Sequence, residues 1–237
     1  LPQYKRIILK LSGEALADEE GAGISKNTLD NLASQILYLY NSGIEMGIVI
    51  GGGNILRGAE AEKLSIDRAT GDYMGMLATI INALAIQNAL IARGIDARVM
   101  SSFTIPQVAE PYILAKALSH FAKKRVIIFG GGTGLPFFST DTTAALRALE
   151  LKAEALFKAT KVDAIYSDDP FKNASAIRYE TITYTDFLLK NLKVMDATAV
   201  SLCRDFKLPI ILFSIKGKDT LVKAVIEGKI GTVIKEG

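Results

Sequence analysis

At 237 residues, 49% apolar and 22% charged, the chain is long and hydrophobic enough to bury the core of one large α/β domain, which excludes a disordered reading. The formal charge of +3 is too mild for a nucleic-acid binder and suits a small anionic ligand. One cysteine and one histidine exclude a disulfide framework and a dense Cys/His metal site.

Residues 5–11 (KRIILKL) predict a first strand, whose Lys10 hands over to the turn Ser12-Gly13-Glu14. For Lys10 the plain alternative is a surface lysine at a strand end. Residues 18–25 are acidic and Gly-rich, a loop, and the apolar spacing over Asn27–Asn41 predicts a helix stopped by Gly43. Ile48-Val49-Ile50 then reads as a buried strand running straight into Gly51-Gly52-Gly53-Asn54, with Arg57 and Gly58 just behind. Without Cβ atoms the backbone N–H groups can close on a ligand, and Arg57 adds a fork of donors suited to phosphate. A tight strand–helix turn with a solvated arginine fits the same residues.

Asp67–Arg93 predicts a long helix with Asp72 near its first turns. Its stretch Met74–Gly94 is the one membrane candidate, but Asn82, Gln87 and Asn88 fall mid-span, and Leu1–Arg6 lacks the apolar core of a signal peptide. The expectation is a soluble, cytoplasmic protein, with no membrane or nucleic-acid partner, whose long helix packs against another chain. Residues 97–101 predict a third strand, Ile113–Lys124 a helix, and Arg125–Phe129 a fourth strand that runs into Gly130-Gly131-Gly132-Thr133-Gly134. In that helix His120 has no acidic partner nearby in sequence and receives no catalytic role. Two β-branched strands thus end in glycine triplets, and ligands of open parallel sheets sit outside the carboxyl ends of strands. With the Lys10 turn, these segments converge on one phosphate-handling edge.

Leu135–Asp141 leads into a helix expected over Thr142–Ala155, with Ser139, Thr140 and Asp141 as candidate caps. Asp141 reads either as a cap or as a carboxylate that orients lysines at the phosphate edge. Further on come a strand at Phe157–Thr160, a polar loop at Lys161–Pro170 and a short strand at 177–184. Helices follow near 185–192 and 196–207 (Cys203 a buried thiol), then a strand at Pro209–Phe213, a helix at Asp219–Glu227 and a strand around Thr232–Ile234. No linker separates the halves, so the expectation is one α/β domain over 1–237, two lobes on one continuous sheet. Neither G-x-x-x-x-G-K-[ST], nor G-x-G-x-x-G after a strand, nor the H-R-D and D-F-G pair is present. What remains is phosphate handling by glycine backbones, a few cations and a few carboxylates, and phosphoryl transfer needs little more.

Several runs resemble bacterial uridylate kinases of the amino-acid kinase superfamily: Lys10–Leu16, Gly51–Asn54 with Arg57-Gly58, Gly71–Thr79, Thr133-Gly134 with Pro136–Asp141, Lys158–Asp163 and Lys193–Asp196. The resemblance implies a three-layer αβα fold with a central, mostly parallel sheet, a homohexamer, and the reaction ATP + UMP → ADP + UDP with Mg²⁺ held mainly by the ATP phosphates. It gives Lys10, Leu11, Ser12 and Gly13 to the ATP phosphates, Lys10 to the transferring group, Asp141 to orienting the lysines, and Lys5 as candidate second lysine. Gly53 and Arg57 fall on the ATP side of the reaction centre, and Thr160, Tyr166 and Asp169 hold the adenosine. Gly52, Asp72, Thr133, Gly134, Leu135, Pro136, Phe137, Phe138, Ser139 and Thr140 embrace UMP. By the same resemblance residues 1–150 form the UMP-binding and oligomerising lobe and 151–237 the ATP-binding lobe. Asp18, Glu19, Glu20, Gly21, Ala22 and Gly23 correspond to a segment tied to GTP activation, and UTP is the implied inhibitor. Asp196 opens a helix near the nucleotides, as contact or as cap. Leu135 departs from a frequent Asn, and Ala164 from a frequent Gly. The alternatives are a superfamily enzyme acting on a carboxylate or carbamate, and a catalytically silent nucleotide sensor, which the presence of both Lys10 and Asp141 disfavours.

Overall fold

The computed structural model describes residues 3–18, 21–56, 64–168, 173, 175–228 and 230–237. A nine-stranded sheet spans the molecule in the order β4 (Glu110–Pro111), β3 (Ala97–Ser101), β5 (Val126–Gly130), β2 (Glu45–Ile50), β1 (Arg6–Leu11), β6 (Ala155–Thr160), β10 (Ile210–Ser214), β11 (Thr232–Lys235), β9 (Thr181–Thr183). Every neighbouring pair is parallel except β10–β11, so the carboxyl ends of β1, β2, β5, β6 and β10 share one edge. A separate antiparallel pair, β7 (Ile165–Tyr166) with β8 (Arg178–Tyr179), follows β6.

Alternation along β1 explains the layers. Ile7, Leu9 and Leu11 pack with Leu32, Ile36 and Leu39 of α1 (Lys26–Asn41) and with Ile86 and Leu90 of α2 (Arg68–Ile91). Ile8 faces the other way, into a core with Phe121 of α3 (Leu114–Ala122), Ala144 and Ala148 of α4 (Thr140–Glu150), Phe187 of α5 (Tyr184–Leu189) and Val200 of α6 (Ala197–Asp205). Helices thus cover both faces, and the buried strands read as near-continuous apolar runs. A short helix α7 (Thr220–Val222) passes into a π-helical turn at Lys223–Glu227, where one regular helix was expected.

Two boundaries differ from expectation for identifiable reasons. The helix expected over 142–155 starts at Thr140 and ends at Glu150, because Lys152 adopts a left-handed backbone (φ 54°) and Ala155 already opens β6. The strand expected at 177–184 is three pieces of backbone: β8, β9 and the start of α5, whose cap Thr183 accepts from the Asp186 N–H. The membrane candidate α2 is long and apolar enough to span a bilayer, yet it lies along the sheet, with one face buried and Tyr73, Leu77 and Ile81 exposed on the other.

Candidate active site

Lys10 lies on the α4 side of β1, near its carboxyl end, and Lys158 of β6 is its register partner on the adjacent strand. Both ammonium groups converge on Asp141 in the first turn of α4, Lys10 Nζ 2.8 Å from Oδ1 and Lys158 Nζ 2.5 Å from Oδ2. All three residues are buried. Burial alone would raise the Asp141 carboxyl, but the charges of Lys10 and then Lys158 override it and hold the pKa at about 2. Burial lowers Lys158 despite the attraction of Asp141, and the charge of Lys10 adds to that lowering. The cluster carries one net positive charge at the sheet edge, aimed where an anion would be drawn.

The cap of α4 is Ser139, whose hydroxyl accepts from the Thr142 N–H, so Asp141 is freed from capping. Asp196 is itself a cap, accepting from the Thr198 N–H at 3.1 Å, and its other oxygen accepts from the Ser139 and Thr142 hydroxyls at 2.7 and 2.8 Å. Its backbone N–H reaches Asp141 Oδ2 at 3.2 Å. Asp196 therefore supports the carboxylate from behind.

Beside the lysines, the Ser12-Gly13 turn packs on the first glycine triplet. A Cβ on Gly13 would stand 2.3 Å from Asn54 Oδ1 and 2.8 Å from the Gly53 N, and one on Gly52 would stand 2.6 Å from the Gly75 O of α2. Gly53 differs: among the described residues nothing lies within 4 Å of where its Cβ would stand. The loop is fixed by two buried asparagines. Asn82 Nδ2 donates to the Gly51 O at 2.8 Å and to Asn54 Oδ1 at 2.7 Å, and Asn54 Nδ2 donates to the Gly23 O at 2.6 Å. The mid-span Asn82 is thus a structural anchor of the cradle.

A pocket of about 160 Å³ lies between the glycine triplets, lined among others by Gly52, Gly53, Asp72, Gly132, Phe138 and Thr140. Asp72 accepts from the Phe137 N–H at 2.8 Å and pairs with Arg68 at 2.9 Å. Phe137 takes a left-handed backbone (φ 70°), a strained state for a bulky residue that this bond holds in place. The Thr133 hydroxyl closes on the Leu135 backbone, and Leu135, Phe137 and Phe138 stand exposed at the rim. A second cleft, about 940 Å³, is lined by Lys161–Asp168 and Lys190–Val194. Tyr166 lies on its wall, its hydroxyl donating to Asp163. Thr160 ends β6 one residue before that lining, its carbonyl accepting from the Ile215 N–H. Lys161 pairs with Glu14 at 2.7 Å and ties the Ser12 turn to the cleft.

Arg57, Asp169, Glu19 and Glu20 lie outside the described residues. Lys5 precedes β1, at the amino end of the strand, where its backbone N–H donates to Glu154, so it is no second lysine at this edge. That place belongs to Lys158. Its signal was the Lys-Ala-Thr-Lys run at a strand end, but only the β1–β6 pairing brings it to Asp141. His120 does have an acidic partner, Glu110 at 3.1 Å, across the sheet margin and away from the site. Among the described residues, no cluster of three or more His, Cys, Asp or Glu is arranged to hold a metal.

A model of the amino acid kinase family matches residues 5–214. Among solved structures, the chain is similar to the UMP kinase from Bacillus anthracis, with a TM-score of 0.95 and 40% identity over 98% of this chain and 96% of that one. It is similar to the UMP kinase from Ureaplasma parvum, with a TM-score of 0.94 and 35% identity over 99% of this chain and 100% of that one. The uridylate kinase from Archaeoglobus fulgidus matches with a TM-score of 0.75 and 26% identity over 96% of this chain and 99% of that one.

Proposed function

We propose that this chain, which belongs to the amino acid kinase family, is a UMP kinase that transfers the γ-phosphate of ATP to UMP and releases ADP and UDP. The observation that carries this reading is the likeness, along nearly the whole chain, to solved UMP kinases of 40% and 35% identity. The geometry supports it: a buried Lys–Asp–Lys cluster stands at the edge that carries a small pocket and a large cleft.

In this reading the large cleft takes adenosine, with Tyr166 as a stacking face, and the triphosphate runs past Lys161 and Ser12 to Lys10. UMP occupies the pocket between the glycine triplets, with Asp72 at its wall. A phosphate oxygen of UMP attacks the γ-phosphorus, the bond to the β–γ bridging oxygen breaks, and ADP leaves. Lys10 and Lys158 offset the charge that spreads over the equatorial oxygens, and Asp141 keeps the two ammoniums apart and aimed. Gly53 leaves room for phosphate at the junction, and Arg57 adds a cation by the family pattern.

Mg²⁺ fits this site only as cargo of the nucleotide. Asp141 is committed to two lysines, and Asp196 to two hydroxyls and a helix cap, so the phosphates themselves would supply the ligands. Residues 1–150 would serve UMP and self-association, and 151–237 ATP. The exposed apolar row of α2 supports a homo-oligomer, with the hexamer of the family pattern as its form, in a soluble, cytoplasmic enzyme of pyrimidine nucleotide biosynthesis. GTP activation and UTP inhibition belong to the same proposal, with 18–23 as the segment involved, bonded through Gly23 to Asn54. The test is ADP release from Mg-ATP against UMP, CMP, glutamate, N-acetylglutamate and aspartate. Turnover confined to UMP is expected, and turnover with an amino acid, or with none, removes the reading.

A further inference from the structure

Arg147 lies two turns along α4 from the reaction centre and is 5% exposed. Its guanidinium stacks on Tyr112, 3.6 Å from the ring centroid, and Nη1 donates to Glu150 at 2.6 Å. Tyr112 donates its hydroxyl to the same carboxylate oxygen, at 2.6 Å. The remaining arm, Nη2, donates to the Ser102 hydroxyl at 3.2 Å, and that hydroxyl donates onward to the Gly132 carbonyl at 2.7 Å. Gly132 belongs to the second glycine triplet and lines the small pocket.

Stability is a poor account of this arrangement. The Glu150 carboxylate is partly exposed, so its ion pair with Arg147 adds little, and the buried Nε has no acceptor among the described residues. What the chain of bonds does is hold a loop. Gly131, Gly132 and Gly134 all take positive φ (78°, 56° and 81°), so their backbone has little intrinsic preference for the observed path. Thr79 of α2 grips the loop on one side, accepting from the Gly131 N–H at 2.8 Å, and Ser102 grips it on the other. With its proton on the Gly132 carbonyl, the Ser102 hydroxyl keeps its lone pairs for a donor, and the stacked, paired guanidinium supplies one held in place.

We propose that Arg147 is a positioning residue for the phosphate acceptor: acting through Ser102, it sets the Gly132 wall of the pocket and so governs affinity for the nucleoside monophosphate. The inference rests on the acceptor reading of that pocket. The assignment separates loop placement from folding, because Ser102→Ala removes a single hydroxyl and leaves the Arg147–Glu150–Tyr112 cluster intact. Arg147→Lys keeps the charge beside Glu150 but lacks a fork that reaches both partners.

The experiment compares wild type, Ser102→Ala, Arg147→Lys and the double variant by steady-state kinetics with both substrates. Amide exchange of the 130–135 segment is followed in parallel. Each single variant should raise KM for UMP by about 5- to 10-fold, the usual weight of one lost hydrogen bond, with kcat and KM for ATP nearly unchanged. The double variant should be no worse than the weaker-binding single, because both act through one chain of bonds, and the 130–135 amides should exchange faster in all three. An unchanged KM for UMP, a loss of kcat with both KM values intact, or additive effects would overturn the assignment. If wild type does not turn over UMP, the functional reading fails by itself. Exchange then decides the positioning claim, faster exchange in the variants supporting it and unchanged exchange defeating it.

Discussion

Lys10 and Lys158 are register partners on adjacent parallel strands, and both ammonium groups end on the carboxylate of Asp141. Two like charges side by side on one face of a sheet would repel, so the carboxylate is what allows the pair to exist in a buried place. Lys10→Ala and Lys158→Ala should each lower kcat by about 10²–10³, the loss expected when one donor to the transition state is removed. KM for UMP should move little. Activity within a few-fold of wild type would remove that lysine from the transferring group.

Asp141→Asn should unfold more easily at neutral pH, by about 3–5 kcal/mol, because it leaves two buried ammoniums facing one another. The carboxyl is held at about 2, below its ordinary value, so its contribution is complete above the usual carboxylate range and is lost as pH falls toward 2. Urea midpoints of wild type and variant should differ by a constant amount from neutral pH down to about 5, then converge in acid. A gap that stays the same in acid would place the stabilisation elsewhere.

Asp72→Asn should raise KM for UMP by about 10-fold while kcat and KM for ATP change less. The carboxylate faces the small pocket and holds the strained Phe137 through its N–H. An effect confined to ATP would show that the two cavities are exchanged.

Gly52→Ala and Gly53→Ala, one residue apart, should fail differently. A methyl on Gly52 meets the Gly75 carbonyl at 2.6 Å and the Ala78 Cβ at 2.9 Å, so α2 must move, and stability should fall by about 1–3 kcal/mol. A methyl on Gly53 meets nothing within 4 Å among the described residues, so that variant should melt like wild type and bind nucleotide more weakly. Thermal melts and a nucleotide titration distinguish the two.

The parts of this site visible in the amino-acid order are those whose chemistry is local. A β-branched strand ending in glycines announces its own cradle, and this occurs at Ile50 and Phe129 alike. What was hidden depends on sheet order. Lys158 reaches Asp141 only because β6 pairs with β1, whereas sequence offered Lys5, which sits at the opposite end of the same strand. His120 finds Glu110 only because the two-residue strand β4, too short to show a period, docks at the sheet margin. The Asn54–Asn82 bond spans the glycine loop and the middle of α2, where an asparagine reads merely as an interruption of an apolar run. The helix drawn too long after Asp141 shows the converse, an apolar pattern persisting through Leu151 beyond the point where Lys152 turns the backbone.

The placement of β11 has a consequence for the order in which the molecule can assemble. Residues 232–235 lie between β10 and β9, antiparallel to one and parallel to the other, so β9 joins the sheet only through a strand made some fifty residues after it. While the chain is still being synthesised, β10 presents a bare hydrogen-bonding edge and β9 has no place to dock, a situation in which strands pair with the wrong neighbour. The growing chain can form β1, β2, β5 and β6 early, but its outer margin must wait until residues 232–235 emerge.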